Sequence, residues 1–197
     1  MAVTIVNVGY RSTNYWVVGV GRSRMLVDLG WPGTLGQMKA NLERAGVPLS
    51  EIRYGLATHY HPDHAGLAQE LKLAGIPLLV VDVQVPAVPA LETICKPRDQ
   101  YVPVTMHDNV MTTCADSRAL LKGVGLDGDI LHTPGHSDDS VSLVLDDGAV
   151  FTGDLTPPAL AGDDPVVLAS WQRLRDRGAT RVYPGHGPIA PLSAPTR

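Results

Sequence analysis

The sequence predicts an α/β fold. Residues 24–81 alternate strand, helix, strand, helix and strand. Both ends of the chain return to β-rich segments. Each group of histidines and aspartates stands just after a segment of strand character. Residues 3–8 are β-rich, residues 15–20 form an apolar, β-branched run, and residues 24–28 follow a Gly21-Arg22-Ser23 turn. Over residues 35–45, Leu35, Met38, Leu42 and Ala45 recur at helical spacing and stop at Gly46. Residues 54–58 read as a short buried strand that delivers the chain to His59. Residues 67–74 read as a helix ended by Gly75, and residues 77–81 as another buried strand.

Residues 82–113 carry Pro86, Pro89, Pro97 and Pro103 and read as an irregular segment that would cover an active site and line its pocket. Strands then return at residues 129–132, 140–145 and 149–152, the last two joined by an Asp146-Asp147-Gly148 turn. An amphipathic helix follows at 165–177 (Val166, Leu168, Trp171, Leu174), ending at Gly178. A last strand at 181–183 leads to His186.

With 197 residues, the chain is expected to form one domain over residues 1–197. Hydrophobic residues at 44% supply a core, and with one Phe that core must rest on Val, Leu, Ile and Ala. A net charge of −4 and the absence of a Lys/Arg run exclude an electrostatic footprint for nucleic acid. Cys95 and Cys114 fit no metal or redox spacing and read as two separate thiols. Met1-Ala2-Val3-Thr4 does not open a secretory signal, and no apolar run approaches the ~18 residues of a membrane span. The expectation is a cytoplasmic protein acting on a small molecule.

The chemistry concentrates in four places. His59-Tyr60-His61-Pro62-Asp63-His64 packs four metal-binding side chains into six positions, and His136, Asp154 and His186 follow singly, each beside a glycine. Extended backbone would put His59, His61 and Asp63 on one side. A turn near Pro62 and Asp63, with a helix starting near Ala65, would let His64 join them. Imidazoles and carboxylates without thiolate suit zinc, and also iron or manganese. No Gly-x-Ser-x-Gly motif is present, so a serine triad has no support.

From residue 3 to 188 the chain resembles the metallo-β-lactamase-fold superfamily, on the strength of HxHxDH, Pro134-Gly135-His136, Gly153-Asp154 and Pro184-Gly185-His186. The resemblance implies a four-layer αβ/βα sandwich of two mixed sheets flanked by helices, with the site at one edge between the sheets. It implies that His59, His61 and His136 hold one metal, that Asp63, His64 and His186 hold a second, and that Asp154 bridges them. Two zinc ions are the expected cofactors, with iron or manganese as alternatives. Asp63 would orient the nucleophile. Asp28 matches a position where the superfamily carries an aspartate near the ligands, and reads either as a support for a ligand histidine or as a strand-ending turn residue. Among the other candidates, His132 reads as a hydrogen-bonded structural residue and His107 as a solvated loop residue. Tyr60 reads as a core or substrate-touching residue, and Asp138 and Asp139 as turn caps.

Departures from the superfamily's branches narrow the expectation. Asp154 stands where class B1 β-lactamases carry cysteine. Leu155-Thr156-Pro157-Pro158 replaces the Gly/Arg-rich segment of glyoxalase II, and Pro157 stands where homoserine lactonases carry tyrosine. Eleven residues follow His186, too few in this sequence for the helical extension that binds glutathione. The expectation is therefore a minimal hydrolase of the glyoxalase II and lactonase-like branch, in which a metal-bridging hydroxide cleaves a small ester, thioester or lactone. The alternatives are a non-haem-iron oxidoreductase of the sulfur dioxygenase type, a β-lactamase-like hydrolase, and a metal-binding protein without catalysis.

Overall fold

The computed structural model describes residues 2–192; Met1, which opens the stretch read for a targeting signal, and residues 193–197 lie outside it. Six strands form the first sheet: β1 (Thr4–Asn7), β2 (Trp16–Val20), β3 (Ser23–Val27), β4 (Ile52–Leu56), β5 (Leu78–Val81) and β6 (Val110–Thr112). They lie in chain order, antiparallel from β1 to β3 and parallel from β3 to β6. The second sheet has the order β11-β10-β9-β8-β7, built from β7 (Gly128–His132), β8 (Val141–Leu145), β9 (Ala149–Gly153), β10 (Arg181–Pro184) and β11 (Ala190–Pro191). There β9 and β10 run parallel and the other pairs antiparallel.

Side-chain alternation explains the layering. Val17 and Leu26 face an outer cluster with Met38 and Leu42 of α1 (Leu35–Arg44), Leu71 of α3 (Ala68–Leu73) and Leu91 of α4 (Ala90–Ile94). Their neighbours Trp16, Val18, Met25 and Val27 face the opposite way and pack between the sheets with Ile130, Leu143, Phe151 and Tyr183. In β8 and β9, Leu143 and Phe151 point into that inner layer, while Val144 and Val150 point out against Val167, Trp171 and Leu174 of α6 (Pro165–Asp176). Three apolar layers thus separate four layers of secondary structure, the αβ/βα sandwich that the resemblance implied. In the middle layer Trp16, Phe151 and Tyr183 meet at 4.9–6.2 Å between ring centres.

Helix α6 starts where the sequence predicted, with Pro165 at its first position and the Asp164 carboxylate accepting from Val166 N and Val167 N. Two readings are corrected. Residues 82–113 are not uniformly irregular: they hold α4 and the edge strand β6, and Val88, Leu91, Tyr101 and Val104 pack on the outer cluster. Three-residue strands and five-residue helices are too short to stand out as a period. The helix read as starting near Ala65 begins instead at Pro62, as α2 (Pro62–Ala65), because extended His61 delivers a proline whose fixed φ suits a first helical turn. Helix α5 (Ser117–Gly123) and strand β11 were also missed. Among the described residues, no helix is long and apolar enough to cross a membrane.

A charged cluster ties α5 and α6 to the second sheet. Asp129 on β7 accepts from Arg118 at 2.5 Å and also from Arg177, and Arg118 reaches Asp146 at 2.7 Å. Burial alone would raise the Asp129 pKa, but the two guanidinium groups outweigh it and hold the carboxyl below the ordinary range. A depressed folded-state pKa gives stability that is present above the unfolded value near ~4 and is lost as pH falls. Asp129→Asn should therefore flatten the acid limb of a stability–pH curve measured by urea unfolding; an unchanged limb would exclude this cluster as a source of acid lability. Phe151→Ala, which empties the middle of the inter-sheet layer, should cost about 3–5 kcal/mol in the same measurement.

Candidate metal centre

All four sequence groups end on one edge of the sandwich. His59 follows β4, His136 follows β7, Asp154 follows β9 and His186 follows β10. The β3–β4 and β9–β10 pairs are parallel, so the carboxyl ends of their strands share that edge. The two halves are stitched there by backbone. Val141 N donates to Thr58 O at 2.8 Å and Asn14 N to Gly185 O at 2.7 Å, while Gly185 N donates within the second half to Gly153 O at 2.8 Å.

The structure brings all seven candidate ligands together. One donor atom each from His59, His61 and His136 lies within 4.8 Å of the others, and the same holds for Asp63, His64 and His186 and for His59, His64 and Asp154. Individual separations are 3.0 Å for His61 Nδ1 and His136 Nε2, and 3.1 Å for His186 Nε2 and Asp63. Asp154 stands 3.3 Å from both His64 Nε2 and His186 Nε2, and 3.8 Å from His136 Nε2. Donors around a tetrahedral ion with ~2.1 Å bonds stand ~3.4 Å apart, so the spacing suits a metal.

Hydrogen bonds outside the cluster set which ring nitrogen faces inward. Ser12 O accepts from His186 Nδ1 at 2.6 Å, which leaves Nε2 as the inward lone pair. His64 Nδ1 meets Asp28 Oδ2 at 2.9 Å. Thr58 Oγ1 gives its proton to Asp28 Oδ1 at 2.8 Å and so accepts from His59 Nδ1 at 3.2 Å. Among the described residues the buried His59 Nε2 has no hydrogen-bond partner, and Asp154 Oδ1 has only His64 Nε2 near it, at 3.3 Å. A buried polar atom left alone is costly, and a cation would satisfy both.

Asp28 therefore takes the supporting role, and its strand-ending role as well. Its φ of 66° turns the chain at the end of β3, while the carboxylate, 1% exposed, also accepts from Thr58 N at 2.7 Å. Asp139 is corrected: its carboxylate does not cap a local turn but crosses to accept from Tyr60 N at 2.7 Å, between two candidate ligands. Ser137 and Ser140 hold the local turn instead, their hydroxyls 2.8 Å apart. Tyr60 is buried in the outer cluster, the packing reading of that residue. His132 Nε2 donates to Asp138 O at 2.7 Å, and exposed His107 pairs with Asp108 at 2.9 Å. Cys95 and Cys114 are free thiols. Gln84, which sequence reasoning missed, donates to the carbonyls of Ala57 and Thr58 just before His59; no local pattern marks such a residue.

The charges are strongly coupled. Burial and then the neighbouring imidazoles push His59 well below the ordinary histidine range. Burial also opposes a charge on His64, but Asp28, with Asp154 and Asp63, outweighs it and raises His64 to about 12. Asp63 and Asp154 are lowered in turn: burial would raise them, and His64 overcomes it. The carboxylates of Asp28, Asp63 and Asp154 thus surround His64 at 2.9–3.4 Å, an anionic pocket that a divalent ion suits.

Gly185 makes room for this packing. A Cβ there would stand 2.5 Å from Asp154 Oδ1 and 2.6 Å from His64 Cε1. Gly185→Ala should therefore displace both side chains and lower bound metal by roughly 10–100-fold in affinity while leaving the circular-dichroism spectrum intact. Full metal retention would show that the cluster tolerates the extra methyl.

Comparisons place this geometry. The family model described as Metallo-beta-lactamase superfamily matches residues 8–186. A lactamase-like protein, GME11357 of Pestalotiopsis microspora, is 31% identical over 185 residues, covering 91% of this chain and 50% of its own length. An atrochrysone carboxyl ACP thioesterase of Claviceps purpurea (strain 20.1) is 28% identical over 189 residues, covering 91% of this chain and 52% of its own. The chain spans about half the length of these curated relatives. The solved structure of TTHA1623 in a di-iron-bound form superposes with a TM-score of 0.70 at 26% identity, covering 95% of this chain and 94% of that one. With a family match over nearly all of its length and the family's histidines and aspartates gathered at one sheet edge, the chain belongs to the metallo-beta-lactamase superfamily.

Proposed function

We propose that this protein is a metal-dependent hydrolase of small esters, thioesters or lactones, with thioesters the first choice. The observation that carries the reading is the seven-residue convergence with the buried His59 Nε2 left without a partner. His59, His61 and His136 would hold one ion and Asp63, His64 and His186 a second, with Asp154 between them. Zinc fits this nitrogen and oxygen donor set, as do iron and manganese. When bound, such ions supply a Lewis acid for a carbonyl and a water that ionises near neutral pH.

The chain's own residues do the rest. Asp63 is partly exposed and fixed by the Thr13 hydroxyl at 3.1 Å, so its carboxylate would orient an attacking water as it helps hold the second ion. Asp28 and Thr58 hold His64 and His59 in single tautomers. Ser12 O and Thr13 hold the His186 and Asp63 side from the β1–β2 connection. The relative named as an ACP thioesterase supports an acyl-transfer substrate for this site.

A second reading, a non-haem-iron oxidoreductase, draws support from the neighbour whose solved form is di-iron-bound. Metal analysis of the purified protein separates the two. The hydrolase reading expects about two zinc equivalents with turnover of a chromogenic thioester or lactone. The oxidoreductase reading expects iron, oxygen uptake and no acyl hydrolysis.

Two substitutions test the ligand assignment. His61→Ala should remove activity by more than the roughly 10–100-fold that losing an outer partner costs, with the fold retained; normal turnover in a folded variant rules His61 out. Asp154→Ala should loosen the pair of ions, and an unchanged metal stoichiometry with unchanged rate would refute a bridging role.

A further inference from the structure

The β1–β2 connection forms a strap along the rim of the candidate centre and is pinned at both ends. Ser12 O holds His186, the Thr13 hydroxyl holds Asp63, and Asn14 Nδ2 donates to Pro184 O at 3.0 Å and Gly187 O at 2.9 Å. On the other side the Tyr10 hydroxyl meets Thr34 Oγ1 at 2.5 Å. Between these anchors stands Arg11, exposed, with φ 57° in the left-handed region that side chains rarely adopt. That conformation belongs to the tight turn between Tyr10 and Thr13, closed by Thr13 N donating to Tyr10 O at 3.3 Å, and it projects the Arg11 side chain from the tip of the strap.

The Arg11 guanidinium lies 5.6 Å from the centroid of the Trp31 ring. Trp31 is itself locked beside the centre. It follows Asp28 by three residues, and its neighbour Pro32 packs so closely on Gly66, just after His64, that a Cβ there would come within 2.3 Å of Pro32 Cδ. Arg11 thus links two loops that both touch the ligand-bearing turn. Among the described residues, the arginines in ion pairs are Arg22, Arg24, Arg98, Arg118 and Arg177. Arg11 is not one of them, so a fixed and exposed guanidinium fork stands at the rim with its charge uncommitted.

We propose that Arg11, steadied by Trp31, receives an anionic group, a carboxylate or a phosphate, carried by the substrate of this centre. The assignment rests on reading the centre as hydrolytic and narrows its substrates to acyl compounds bearing a negative charge on the acyl chain or on the leaving thiol. A planar guanidinium held over an aromatic face at cation–π distance suits bidentate recognition of such a group, where a lysine would supply only a point charge.

Trp31 is the reporter, since Trp16 and Trp171 are buried. The metal-loaded protein is titrated by tryptophan fluorescence with two matched pairs: adipamate (the monoamide of adipic acid) against neutral hexanamide, and 4′-phosphopantetheine against pantetheine. Wild type should prefer the charged member of one pair by roughly tenfold to a hundredfold, and that pair identifies whether the charge belongs to the acyl chain or to the thiol. Arg11→Gly, which accepts φ 57° without strain, should erase the preference, and Arg11→Lys should keep only part of it. A wild type with no preference in either pair, or a preference that survives Arg11→Gly, overturns the proposal. In parallel, KM for adipoyl and hexanoyl thioesters of N-acetylcysteamine is compared. If neither is hydrolysed while an Arg11-dependent preference persists in the titration, the thioester reading fails and the Arg11 assignment stands.

Discussion

A single buried carboxylate organises this molecule's working edge. Asp28 is almost wholly enclosed, and an enclosed charge must be paired or the fold loses several kcal/mol. It meets that demand with Thr58 N, the Thr58 hydroxyl and His64 Nδ1. Those three contacts join the end of β3, the end of β4 and the first turn of α2. The Thr58 hydroxyl, having given its proton to Asp28, orients His59. The positive φ at Asp28 is the local cost of aiming one carboxylate at all of these groups.

The second half of the molecule closes on this arrangement through glycines rather than side chains. Gly153 lies so near Thr58 that a Cβ would stand 2.2 Å from its hydroxyl oxygen, and Gly185 is as close to Asp154 and His64. Such approaches let donor atoms 75 to 123 residues apart in sequence reach within 4 Å of one another. The electrostatic consequence is a pocket where imidazoles and carboxylates share one low-dielectric space, and His64 answers with a large upward shift while His59 moves down. Identical side chains are driven in opposite directions by which neighbours each one faces.

Membership of the superfamily sets the scaffold, and the donor set sets the chemistry it admits. Nitrogen and oxygen donors without thiolate leave zinc and iron both open, consistent with a structural neighbour solved with two irons. At the rim, the strap sets Arg11 over the Trp31 ring.

Much of this was legible in the amino-acid order. HxHxDH and three glycine-flanked residues could be recognised as one set, because so many ligand-type side chains in six positions have little structural use. The apolar runs of β2 and β5 announced buried strands, whereas β8 read as alternating and is buried along its whole length. Only the tertiary structure decided the rest. The three-residue strand β6 and the short helices α4 and α5 gain their stability from packing, so no local period marks them. Asp139 reading the backbone of Tyr60, Gln84 holding the end of β4, and Arg11 meeting Trp31 are contacts between chain segments about 20 to 80 residues apart. Spacing along a chain reports which face a residue shares with its near neighbours; which distant group waits across a sheet edge is settled when the two halves close.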